Sequence, residues 1–162
     1  LQAHPELAPV VSEILKVLPE ECASDRIVLL NEKHKYDMRD HLCDVASHVL
    51  TFLQSMPPTE PVYQAIHTWI RYVPIRPHVL AEGSFLATCI TALRQPTLFE
   101  AVVDVLVEVL RMYPSHLAAN AQLVQRMIPM VMSLREPLDA AFQQQDEDTL
   151  RGLCRIITEI PR

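Results

Sequence analysis

EVLRMYP, residues 108–114, closes a run of apolar residues at a proline, and the same cadence recurs three more times. It reads EILKVLP at 13–19, TWIRYVP at 68–74 and RIITEIP at 155–161. Each has two large apolar residues, further apolar positions at helical spacing and a terminal Pro. Proline has no backbone N–H and its ring crowds the preceding turn, so a helix that meets one normally stops. Pro19, Pro74, Pro114 and Pro161 stand 55, 40 and 47 residues apart. Four matched endings predict a helix–turn–helix unit repeating about every 47 residues, within the range of HEAT and armadillo arrays and longer than TPR or ankyrin repeats. These four prolines are read as structural punctuation of the repeat.

Around these endings the periodicity is helical nearly throughout. After Pro96, the residues Leu98, Val102, Val105, Leu106, Val109, Leu110 and Tyr113 recur at three- and four-residue steps. Thr97 followed by Glu100 is a candidate capping box at the start of that helix. Other helices are predicted over 6–18, 32–56, 61–73 and 78–94. One more begins near Asn120 with Pro129 inside it, where a kink is expected. A last one opens at Asp146, Glu147 and Asp148, whose charge suits a helix N-terminus. No stretch alternates with period two for long. Two glycines against 13 prolines fit stiff connections between helices better than sheet hairpins. The expected fold is all-α: an α-solenoid of antiparallel helix pairs, a HEAT/armadillo-like superhelix of about three and a half repeats. The predicted organisation is one repeat segment, 1–162, of a longer solenoid, with repeats near 6–56, 60–95, 97–144 and 146–162, the last partial. The chain opens on Leu1 in mid-pattern, which reads as a piece cut from something longer.

Of 162 residues, 49% are apolar, enough for a sizeable core. No apolar run is long enough to span a bilayer, and none resembles a signal peptide. A net charge of −6 argues against direct nucleic-acid or anionic-membrane binding and leans toward basic protein partners. The four cysteines form no CxxC; Cys43, Cys89 and Cys154 lie among apolar neighbours and read as reduced core or near-core thiols.

Three patches resemble the importin-β superfamily of nuclear transport receptors, nearest to its importin-13 and transportin-3 branch. They are KVLPEE (16–21) before a loop and long helix, HTWIRYVPI (67–75), and IPMVMSLREPLDAAFQQQDEDTLRGLCRIITEI (128–160) with its GLCRI (152–156) helix. The resemblance implies a fragment of the N-terminal half of a receptor that shuttles between cytoplasm and nucleus. It also implies protein cargo, the GTPase Ran through the full-length protein, and nucleoporins as partners, with no cofactor. A non-shuttling HEAT scaffold, such as a phosphatase regulatory subunit or an assembly platform, is the competing reading.

The 32–56 helix is the most informative surface. Met38, Leu42, Val45, Val49, Phe52 and Met56 form a predicted core stripe, widened by Cys43, Ala46, Leu50 and Leu53. Asp37, Asp40 and Asp44 fall on the remaining face. The resemblance makes this the second helix of its pair, of the kind lining a concave wall, where the strip could attract basic cargo; an ordinary solvated face is the plainer account. His34, His41 and His48 recur every seven residues, about 10.5 Å apart, too far to share one metal ion. Trp69 reads as core. Met127, Met130 and Met132 around Pro129 read as core filling beside a kink, or as an adaptable patch. No phosphate loop, nucleophile elbow or HExxH occurs, so nothing asks for an enzyme or a cofactor.

Overall fold

The computed structural model describes residues 7–24 and 32–159. Pro161 lies outside them. The fold is all-α and HEAT-like, with helices packed in pairs and no strand among the described residues. The chain forms two compact units, Leu1–Ile75 and Arg76–Arg162. Their boundary falls inside the expected 60–95 repeat.

The first unit contains α1 (Ala8–Ala23), α2 (Glu32–Ser55) and α3 (Glu60–Tyr72). α2 packs on both of the others, yet the most extensive contact joins α1 to α3, skipping the intervening helix. First helices that stack on first helices in this way are the mark of a repeat array. α3 is buried nearly all round, with Trp69 and Ile70 at 0% exposure. It ends at Tyr72, its cap Val73 lying just before Pro74.

Pro19 corrects the expectation. It does not end the first helix: α1 runs through it to Ala23. A proline there has no N–H for the carbonyl four residues earlier, which belongs to Leu15. That carbonyl is instead taken by the indole of Trp69, whose Nε1 donates to Leu15 O at 2.8 Å. The backbone acceptor that a mid-helix proline orphans is thus satisfied from the next first helix, and the helix continues.

The second unit holds α4 (Pro77–Ala81), α5 (Phe85–Ala92), α6 (Phe99–Met112), α7 (Ala121–Ser133), α8 (Arg135–Gln144) and α9 (Glu147–Thr158), with a single 3-10 turn at Ala118–Asn120. The predicted 78–94 helix is two pieces, because Gly83 breaks it with φ of +75°, a conformation side-chain-bearing residues avoid. The helix expected from Asn120 likewise divides at Leu134 into α7 and α8, and Pro129 lies inside α7. α6 stops at Met112, with Tyr113 as cap before Pro114. Its start differs from the expectation: Leu98 is the cap residue and makes no side-chain hydrogen bond, so the Thr97–Glu100 box does not form. Asn120 precedes α7 but does not cap it with its side chain; its Nδ2 donates to Pro114 O at 2.9 Å and pins the loop between α6 and α7. Asp146 does cap α9, accepting from Thr149 N at 3.1 Å and from Thr149 Oγ1 at 2.7 Å.

Again alternate helices stack: α6 on α9, and α4 and α5 on α7. The α6–α9 approach depends on Gly152. A Cβ there would stand 2.7 Å from Phe99 Cζ and 3.2 Å from Val103 Cγ2, inside normal contact. Glycine in a helix interior costs about 1 kcal/mol against alanine. Here the missing side chain lets one backbone ride directly on the Phe99 ring.

Two outcomes follow from these contacts. Gly152→Ala should lower stability by about 1–2 kcal/mol, because overpacking against a buried Phe99 outweighs the helix-propensity gain; Phe99→Leu should restore part of the loss in urea titrations of the double variant. Trp69→Phe should cost about 2–4 kcal/mol by leaving the Leu15 carbonyl without its donor and the indole volume partly empty. Adding Pro19→Ala returns a helical N–H to that carbonyl, so the double variant should be clearly more stable than the sum of the two single changes. Simple additivity would show that the indole and the proline act independently.

Candidate functional site

The described helices α1 and α2 carry exposed acidic and apolar faces. On α2, Asp37, Asp40 and Asp44 are all exposed, spaced three and four apart and therefore on one helical face. None of them has an ion-pair or hydrogen-bond partner among the described residues. The three carboxylates stand over about two turns of helix as an exposed strip.

Beside that strip the core stripe expected from sequence is only half realised. Leu42, Ala46, Leu50, Leu53 and Met56 are buried, whereas Met38, Val45 and Phe52 remain 41%, 44% and 37% exposed. The buried set follows the 3.6-residue turn toward α1 and α3; the exposed trio, seven apart, lies on the neighbouring strip of the cylinder that neither helix covers. Exposed His41 and His48 sit between this trio and the aspartates. α2 therefore offers a mixed acidic and apolar face. α1 also shows apolar surface, with Val10 and Ile14 at 56% and 61% exposure on the side away from its buried Ser12 and Pro19. Sequence periodicity found these apolar residues but could not say which of them the fold leaves bare.

No group of three His, Cys, Asp or Glu side chains among the described residues could hold a metal ion. Cys89 is buried, and burial pushes its thiol up to about 12, which keeps it protonated and unreactive at neutral pH. Cys22 and Cys43 are half-buried, with burial raising each thiol. Cys154 is exposed, which corrects the near-core expectation: it lies on the outer face of α9, opposite buried Leu153 and Ile156. Trp69 is core, as read. Met127 and Met130 are buried, and Met132 is 68% exposed. No described helix is long and apolar enough to cross a membrane.

The second unit holds several of its charges in pairs between α6 and α9. Arg155 of α9 donates to Asp104 at 2.7 Å and to Glu100 at 3.5 Å, both on α6, and Arg111 of α6 donates to Glu159 at 2.6 Å. Sequence spacing could not couple residues 48 to 55 apart. The Arg111 guanidinium holds the Glu159 carboxyl below the ordinary glutamate range through its hydrogen bond.

An all-α stack of paired helices defines a helical-repeat protein. Residues 1–106 match the exportin 1-like protein family, and the chain belongs to it. Among its relatives, importin-13 of Homo sapiens is 29% identical over 89% of this chain, and importin-13 of Gallus gallus is 26% identical over the same share. Transportin MOS14 of Arabidopsis thaliana is 24% identical over 99% of the chain. These similarities are consistent with the importin-β superfamily and its importin-13 branch. The chain spans only 15% of the length of the importin-13 proteins and 17% of the transportin.

The α6–α9 pairs make a pH expectation. A carboxyl held below its unfolded value contributes stability above that value and loses it as pH falls through the folded one. Glu159 is depressed from 4.5, so its contribution should be complete above about pH 5 and vanish on acidification below that. Wild type and Glu159→Gln should therefore differ in urea midpoint at pH 7 and converge toward pH 3. High salt should narrow the gap at pH 7, since the pair is exposed.

Proposed function

We propose that this chain is a cargo-binding segment of a nuclear transport receptor of the importin-13 and transportin kind. Family membership is the observation that carries the reading, and the geometry supports it. Alternate helices stack, so each repeat leans only on its neighbours, and a longer array of such repeats could flex to fit different proteins. The mechanism is binding alone, with no catalytic step and no cofactor.

In this reading the α2 face is a cargo contact. Asp37, Asp40 and Asp44, with no ion-pair partner among the described residues, raise the local concentration of basic protein surface, and Met38, Val45 and Phe52 beside them supply apolar contact once it docks. Ran in its GTP state acts through the full-length protein by preferring one curvature of the array over another. That is a coupling free energy between two sites, typically about 1–3 kcal/mol. Cargo, Ran and nucleoporins are thus the proposed partners, with shuttling between cytoplasm and nucleus as the setting. Direct binding to nucleic acid or to a membrane is not part of the proposal.

The decisive measurement is cargo capture by the full-length protein with and without Ran-GTP. Release or recruitment of captured protein by Ran-GTP is expected; indifference would leave a static scaffold. For the α2 face, replacing Asp37, Asp40 and Asp44 together by lysine should weaken basic cargo by about tenfold at low salt and flatten the salt dependence of what remains. Unchanged affinity would reduce the strip to solvated surface.

A further inference from the structure

The second unit contains an open groove of about 660 Å³ between α4–α5 and α7. Its floor is apolar, with Leu80, Leu86 and Met130 buried there. One charged side chain, Arg126, lines it, and no carboxylate does. Arg126 has no ion-pair partner among the described residues, in a chain of net charge −6. Gln125 and Pro129 are both at its wall. Pro129 lies inside α7, so the Gln125 carbonyl four residues earlier receives no hydrogen bond from position 129.

The first unit shows how this protein meets such a carbonyl. Pro19 frees Leu15 O, and an indole N–H supplies the missing donor at 2.8 Å while its rings fill the core. Trp69, already committed there, is the only tryptophan in the sequence. In α7 a proline again stands inside the helix, and Gln125 and Pro129 line the open groove beside its apolar residues.

We propose that this groove docks a partner protein segment presenting a tryptophan next to a carboxylate. The indole lies on the floor formed by Leu80, Leu86 and Met130, its N–H donates to Gln125 O, and the neighbouring carboxylate pairs with Arg126. Tryptophan joins a large apolar body to a single donor, which is the combination the groove lacks, and arginine binds carboxylates in a forked geometry. The proposal rests on the reading of the chain as a surface for protein cargo but needs nothing from Ran.

The test is fluorescence anisotropy with the full 162-residue chain and a labelled nonapeptide carrying one central tryptophan between two aspartates. Saturable binding is expected. A second peptide with N-methylated indole keeps the rings and loses the donor; it should bind about fivefold to tenfold more weakly. Against Pro129→Ala, which returns an N–H to the Gln125 carbonyl and removes a helix breaker, the two peptides should bind alike. Arg126→Glu should weaken the aspartate peptide and favour its lysine counterpart. No binding, or the same ratio between the two indole peptides in wild type and Pro129→Ala, overturns the proposal. If Ran-responsive cargo capture survives that result, only the groove is lost; if capture fails as well, the cargo-binding reading falls with it.

Discussion

The hydrogen bond from the Trp69 indole to the Leu15 carbonyl is the contact on which the first unit depends. Proline within a helix normally costs about 3 kcal/mol or more, partly through the acceptor it leaves unpaired. Trp69 supplies the lost donor across the α1–α3 contact and is itself fully buried there. One side chain therefore joins two effects that are usually separate, the repair of a local backbone defect and the stacking of successive repeats. α1 is a continuous helix because α3 lies against it, and α3 has a core anchor because α1 carries a proline. Neither helix is specified by its own residues alone.

Much of the architecture was legible because it rests on local rules. Apolar residues at three- and four-residue steps marked the helices, and α3 and α6 each stop one residue before the position preceding Pro74 or Pro114. Asp146 could be read as a helix start, since a short acidic side chain before an amphipathic run caps wherever it is placed. Pro19 looked identical to Pro74 in its local context and behaves differently, because its donor comes from 54 residues away. The Thr97–Glu100 pattern was a valid signal that lost to a helix starting one residue later, at Phe99, with Leu98 as its cap. The division of α4 from α5 hangs on one glycine's positive φ, which residue type permits but does not require.

Surfaces were harder to read than elements. The α2 aspartates were identifiable as one face because helical geometry alone sets their spacing. Which apolar residues stay bare was not, because Met38, Val45 and Phe52 share the periodicity of Leu42 and Met56 and differ only in what the fold places against them. The α6–α9 ion pairs were likewise hidden, joining charges whose separation in the chain carries no periodic signal. A repeat array magnifies this difficulty, since every helix carries more apolar surface than its own pair consumes.

The bare backbone of Gly152 has a mechanical meaning. Where helices meet through interdigitated side chains, rotamers can shift and one helix can slide along another. Where a main chain sits straight on an aromatic ring there is no such yielding layer, and the carboxylate–guanidinium pairs farther along α9 add a lateral stop. The α6–α9 joint is the stiff hinge-pin of its unit, and compliance within that unit is left to the glycine-broken and proline-softened helices on its other side.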